Sequence, residues 1–195
     1  MKKIALVIAL AIASLNAAHA QTAPPEAKPV RFLVGMGLTF GGDELATVQY
    51  QNGDDYDISA GGMIAFVAGV DYRISPEFSM QGTVAYHFDQ ANASNGDMKF
   101  KRYPVELLAY YHPTQNWRVG GGLRYVSSPE LSSSGAAYIG NYAFKNTISP
   151  VIEAEYLVSS HLGLKVRLVK EEYQVKGYNE KYKGDHVGIF ATLYF

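Results

Sequence analysis

Eight segments of this chain alternate strictly between two kinds of position, and in all eight one of the two faces carries no Asp, Glu, Lys or Arg. In the first segment Phe32, Val34, Met36, Leu38 and Phe40 share the uncharged face. In the last, Val187, Ile189, Ala191, Leu193 and Phe195 do. A period of two is the signature of a β-strand with distinct faces. The intervening positions collect the charges: Arg31, Asp71, Arg102, Glu106, Arg118, Arg124, Glu153, Glu155, Lys165, Arg167 and Glu171. Eight wholly apolar faces turned to water would form a patch far larger than soluble proteins tolerate. Turned to lipid they cost nothing, provided every backbone polar group is paired, which only a closed barrel achieves with strands. The expected fold is therefore all-β: an eight-stranded antiparallel up-and-down transmembrane β-barrel, apolar outside and polar within.

The first residues set the compartment. Met1-Lys2-Lys3 is a basic start, residues 4–15 are an apolar run, and Ala18-His19-Ala20 has the small-x-small form of a cleavage site. Residues 1–20 read as a secretory signal peptide, too short to span a bilayer as a helix. Its removal would take away Lys2 and Lys3, leaving 175 of the 195 residues and moving the formal charge from −1 to −3. No basic surface of the kind nucleic acid requires is implied. Residues 21–29, with three prolines, read as a flexible periplasmic tail, and 30–195 as the barrel. Cysteine is absent, which excludes disulfides and cysteine metal sites.

Connections alternate in length. Residues 74–77, 113–116 and 159–161 are short and are read as periplasmic turns; 41–58, 89–99, 127–146 and 173–185 are long, polar and read as extracellular loops. Asn52-Gly53 and Asn95-Gly96 are hairpin signals, and the first predicts that strands one and two continue above the membrane as a ribbon. Aromatic residues fall at two heights, with Phe78, Tyr111 and Trp117 near the short turns and Tyr86, Phe88 and Tyr103 near the long loops. Pro104 and Pro150 interrupt strands four and six, where a missing N–H is expected to disturb the ladder.

Inside eight strands there is room only for side chains. The eleven inward charges, with Tyr110, Phe190 and Tyr194 beside them, are expected to pair into a plug. A turn centred on Ser160 sets Glu155 opposite Lys165 and Glu153 opposite Arg167; one near Gln115 sets Glu106 opposite Arg124. Catalytic patterns are missing. No Ser follows a His at a spacing of two, as outer-membrane lipid A deacylases require, and loop 41–58 lacks the His of lipid A palmitoyltransferases. His87 and His186 point inward from non-adjacent strands. Asp43, Glu44, Asp54, Asp55 and Asp57 make the first loop acidic, a setting where divalent cations bridging to lipopolysaccharide phosphates could gather; Lys176, Lys181 and Lys183 make the fourth basic.

The C-terminal stretch Val187 to Phe195, apolar at every second position and ending in Phe, is similar to the signal read by the outer-membrane insertion machinery. With the strand count, the whole mature chain resembles the small OmpA/OmpX-type outer-membrane barrels, and two stretches, 41–48 and 102–111, are similar to uncharacterised proteobacterial barrels. The resemblance implies residence in the bacterial outer membrane as a monomer without cofactors. It implies contacts with outer-membrane lipid and lipopolysaccharide, and handling by periplasmic chaperones and the insertion machinery. The expected role is non-enzymatic, structural or interactive through the extracellular loops; the alternative is a narrow channel for small solutes.

Overall fold

The computed structural model describes residues 29–49, 55–93 and 96–195. In chain order the strands are β1 (Val30–Gly41), β2 (Glu44–Gln49), β3 (Asp55–Ser59), β4 (Met63–Arg73), β5 (Phe78–Ala93), β6 (Gly96–Tyr111), β7 (Trp117–Ser133), β8 (Tyr142–Ala143), β9 (Thr147–Leu157), β10 (Leu162–Val169), β11 (Glu172–Gln174), β12 (Lys181–Lys183) and β13 (His186–Tyr194). Eight of them, in the cyclic order β1-β4-β5-β6-β7-β9-β10-β13, form one antiparallel sheet that closes where the last strand, β13, pairs back onto β1. The expected signal peptide and most of the expected tail lie outside the described residues, as do Asn52, Gly53 and Asn95 of the hairpin signals.

The faces follow the alternation. Phe32, Leu107, Leu123, Ile148 and Ile152 point outward, whereas Asp71, Glu106, Arg118 and Arg124 are buried in the lumen. Register follows from the short turns: Lys165 stands opposite Glu155, Arg167 opposite Glu153, and Arg124 opposite Glu106. Gly37 and Gly120 face the lumen, where a Cβ would strike the rings of Phe190 and Tyr110, so their lack of a side chain makes room for those rings.

Above the membrane the loops differ from expectation. β2 and β3 form the anticipated ribbon. The stretch 89–99, expected as a polar loop, instead continues β5 and β6, which pair from Asp89 opposite Phe100 to Ala93 opposite Gly96. Likewise β7 runs on to Ser133 and pairs with β8. Polar outward positions give these segments the composition of a loop, whereas the inward positions Ala91, Met98, Phe100 and Leu131 are apolar and buried.

The two prolines behave differently. Opposite Pro104 the β5–β6 ladder lacks pairs at Ala85 and Tyr86, and the β6–β7 register shifts between Lys101 and Tyr103, beside Ser128 with its φ of 49°. Pro150 causes no shift: it pairs with Leu123, and its carbonyl accepts from Lys170 N–H at 3.3 Å. Its donor-less nitrogen faces the same side, so the pair opposite Lys170 keeps one bond where another residue would allow two, and the β9–β10 ladder ends at Val169.

Candidate functional site

The lumen contains one continuous chain of charges. Arg31 lies 2.6 Å from Asp71, Asp71 2.6 Å from Arg118, and Arg118 2.6 Å from Glu155. Glu155 is 3.9 Å from Lys165, which is 3.4 Å from Glu153; Glu153 pairs with Arg167. Arg167 lies 2.7 Å from Glu106, Glu106 2.7 Å from Arg124, and Arg124 3.2 Å from Glu171. Ten residues thus alternate in sign from one end of the barrel to the other, five positive and five negative. An unpaired ion at such depth costs several kcal/mol, and each interior member of the chain is flanked by two opposite charges.

Neutral groups use the remaining lone pairs and π-faces. Tyr194 donates to Glu155 at 2.7 Å, Tyr110 donates to Glu153, and Thr83 donates to Glu106 at 3.2 Å. Gln81 Oε1 accepts from Arg118 at 3.0 Å and Lys165 at 3.2 Å. The guanidinium of Arg118 stacks on Tyr110, and that of Arg167 on Phe190, a contact available to arginine's planar cation.

Arg102, expected in this network, makes no ion pair among the described residues. It is fully buried and donates from its two terminal nitrogens to the carbonyls of Ala60 and Gly62, with its guanidinium over the Phe100 ring. Its role is to hold the turn after β3 down onto the barrel mouth. Asp89 holds the same turn from the other side, accepting from Ser59 N–H and Tyr56 O–H at 2.9 Å each.

Above Arg102 lies an apolar core that sequence reasoning missed. Val48, Ile58, Met98, Phe100, Phe144 and Tyr173 pack together, fully or almost fully buried. Phe144 and Tyr173 present edges to Phe100 at centroid distances of 5.4 and 5.5 Å. Burial of each such side chain stabilises by roughly 1.5–3 kcal/mol. The signal lay in the inward parity of Met98 and Phe100 on a strand extended upward. The loops also interlock at Asp43, whose N–H donates to the Lys183 carbonyl at 2.7 Å and whose carboxylate accepts from Lys183 N–H at 2.8 Å.

The inward histidines of the outer mouth differ: both ring nitrogens of His87 are engaged, whereas His186 donates from Nδ1 to the Gly184 carbonyl at 2.7 Å and its buried Nε2 has no hydrogen-bond partner among the described residues. His87 and His186, though on non-adjacent strands, approach across the narrow lumen to 5.4 Å between ring centroids. Arginine only donates, so Arg124 at 3.1 Å makes His87 Nδ1 an acceptor, and Nε2 faces Thr39 Oγ1 at 2.8 Å. No ring nitrogen of His87 remains for a metal. At the other end His112 Nε2 meets Ser79 Oγ at 2.9 Å, superficially a base and a nucleophile. Its Nδ1 accepts from Arg73 at 3.0 Å, so the proton sits on Nε2 and points at the serine. A general base needs the opposite tautomer, oriented by a carboxylate.

No family model matches the chain, and neither does any curated protein sequence. Solved structures do match. With a TM-score of 0.58, the chain resembles Ail, the attachment invasion locus protein of Yersinia pestis, solved in complex with the heparin analogue sucrose octasulfate; identity is 11%, over 85% of this chain and 96% of that one. Neisserial surface protein A matches at a TM-score of 0.50 and 10% identity, over 88% and 100% of the two chains. The outer membrane protein OprG from Pseudomonas aeruginosa matches at 0.50 and 12%, over 87% and 97%. The chain has the fold of the small eight-stranded outer-membrane barrels.

Proposed function

We propose that this protein is a non-enzymatic outer-membrane barrel that does not conduct and that works through its extracellular surface. The observation that carries the reading is the double seal: ten alternating ion-paired residues fill the lumen, and an apolar core covers its outer mouth. A water column would have to break several buried pairs together. The surface left for function is the top of the dome, where Tyr138, Ile139, Tyr142 and Tyr178 are exposed on loops joined through Lys176 N–H to the Ala143 carbonyl. Exposed aromatic residues are favoured contact groups at protein interfaces. The barrel acts as a monomer among outer-membrane lipids. Its last strand, with Val187, Ile189, Ala191, Leu193 and Phe195 turned outward, is the segment read at insertion after periplasmic chaperones deliver the chain.

Recording from the purified protein in planar bilayers tests the reading. Rare, small openings at most are expected. Large, steady, voltage-independent currents would replace it with the narrow solute channel.

A further inference from the structure

The outer wall of the barrel is interrupted between β5 and β6. Across these strands the ladder pairs Val84 with Val105 and resumes at His87 with Arg102, leaving Ala85 and Tyr86 paired with β4 but not with β6 beside Pro104. A hollow of about 490 Å³ opens there on the lipid side, headed by Tyr86 and Tyr103. It adjoins a second hollow of about 700 Å³; both are lined by Ala68, Val84 and Val105, and the second reaches Gly82. Nothing lies within 4 Å of the place a Cβ would take on Gly82. The two make an apolar furrow that descends from the upper aromatic belt.

Two observations fix what heads the furrow. Four outward rings form a platform: Tyr86 stacks on Phe88 at 5.0 Å and on Tyr103 at 5.5 Å, and Phe66 on Phe88 at 6.4 Å. Over this platform lies the Lys99 ammonium, 4.8 Å from the Phe88 centroid and 5.4 Å from that of Tyr86. Lys101, next along the same outward face, pairs with Glu130 at 3.2 Å while staying part-exposed. Height matters as well. From Tyr111 in the lower belt to Lys99 the strand climbs roughly 30 Å along the bilayer normal, at ~3.3 Å per residue and a ~40° tilt. The apolar band of such barrels is about 25 Å tall, so Lys99 stands at headgroup level on the side of the long loops.

We propose that this face is a docking site for an acylated, phosphorylated glucosamine lipid of the outer leaflet, a lipid A. An acyl chain lies in the furrow, the sugar rests on the ring platform, and a phosphate meets Lys99 with Lys101 as a second cation. A glycerophospholipid would supply chain and phosphate and leave the ring platform unused, which is why the occupant is the sugar lipid. The site lies on the outer wall and does not depend on whether the lumen conducts.

The test uses the folded protein in phosphatidylcholine nanodiscs, with bisphosphorylated lipid A titrated in and retained lipid counted by native mass spectrometry. Wild type is expected to hold one lipid A in preference to phosphatidylglycerol. K99A should weaken binding roughly fivefold, the loss of one lysine–anion attraction, and monophosphorylated lipid A should behave similarly on the wild type. G82L, which fills the furrow where there is space for it, should weaken binding with Lys99 intact. V166F on the far wall should leave binding unchanged. Heat-shifted gel mobility confirms that each variant is folded. Undiminished binding by both K99A and G82L, or phosphatidylglycerol held as tightly as lipid A, would overturn the proposal.

Discussion

The guanidinium carbon of Arg102 lies 4.7 Å from the centroid of Phe100, two residues away on the same inward face of β6. The contact marks the plane where the charged lumen gives way to the apolar dome. Two energies oppose each other when Arg102 is replaced by Met. The Ala60 and Gly62 carbonyls lose their donors, at ~1–3 kcal/mol for each left unsatisfied, while a buried cation without a carboxylate is removed, a relief of several kcal/mol. The expected outcome is little change in global stability, with the turn after β3 opening more often. Amide hydrogen exchange should rise at residues 60–63 and spare the barrel strands; unchanged exchange there would show that Arg102 does not pin the turn.

Glu106, like Asp71, is gripped by two arginines, in its case Arg124 and Arg167. E106Q leaves both short of a counter-charge and should cost roughly 3–5 kcal/mol, the range for breaking a buried pair. E172Q removes the part-exposed partner of Lys181 and should cost under ~1 kcal/mol. Urea titration of protein folded into lipid vesicles measures both. Equal costs would contradict the buried chain. The same E106Q sample should also show more frequent conductance openings than wild type.

Arginine placed on the lipid face at Leu107 or Ile152 should cost roughly 2–4 kcal/mol near the midplane. From the sequence, arginine at Gln81 is expected to be milder, because Gln81 faces the polar lumen. The structure reverses that expectation. Gln81 Oε1 already accepts from Arg118 and Lys165, so Q81R would add a third cation where an acceptor is needed. It should destabilise at least as much as L107R in the same titration.

Acid should weaken the short-turn end. His112 is pushed down to about 4, first by burial and then by Arg73 and Arg118, with Arg31 adding to the repulsion and Asp71 partly offsetting it. In the unfolded chain a histidine titrates near 6.5. Between those values the unfolded state binds more protons than the folded state, so stability falls as the pH drops from about 6.5 to about 4 and levels off below. Replacing His112 by Gln keeps a polar group beside Ser79 and should flatten that part of the stability–pH curve. An unaltered curve would place the titrating group elsewhere.

How much of this was legible follows from parity. A period of two assigns every side chain to lumen or lipid, and the short turns fix register, so Glu153, Glu155, Lys165 and Arg167 could be placed from the sequence. Rotamers could not. Lys165 stands opposite Glu155 yet lies closer to Glu153, because a long side chain reaches diagonally as readily as straight across. Arg102 shares its parity with the paired charges and nothing local separates it from them; its carbonyl partners come from Ala60 and Gly62, some forty residues away. The dome was hidden by a different cause. Outward polar residues such as Gln90, Asn92 and Lys99 make residues 89–99 look like a loop, and the inward Met98 and Phe100 acquire meaning only once the strands are known to continue.

The charge chain has a bearing on assembly. Arg118 on β7 reaches Asp71 on β4, and Arg167 on β10 reaches Glu106 on β6, strands that share no backbone hydrogen bonds. Neighbouring hairpins can form early and satisfy Glu153 with Arg167 or Glu106 with Arg124, but these transverse links exist only when the sheet curls shut. An open intermediate would present half-neutralised ions along its concave side, a poor substrate for lipid. Closure between β1 and β13 is therefore the step at which the transverse links are gained together, tying opposite walls of the barrel to one another.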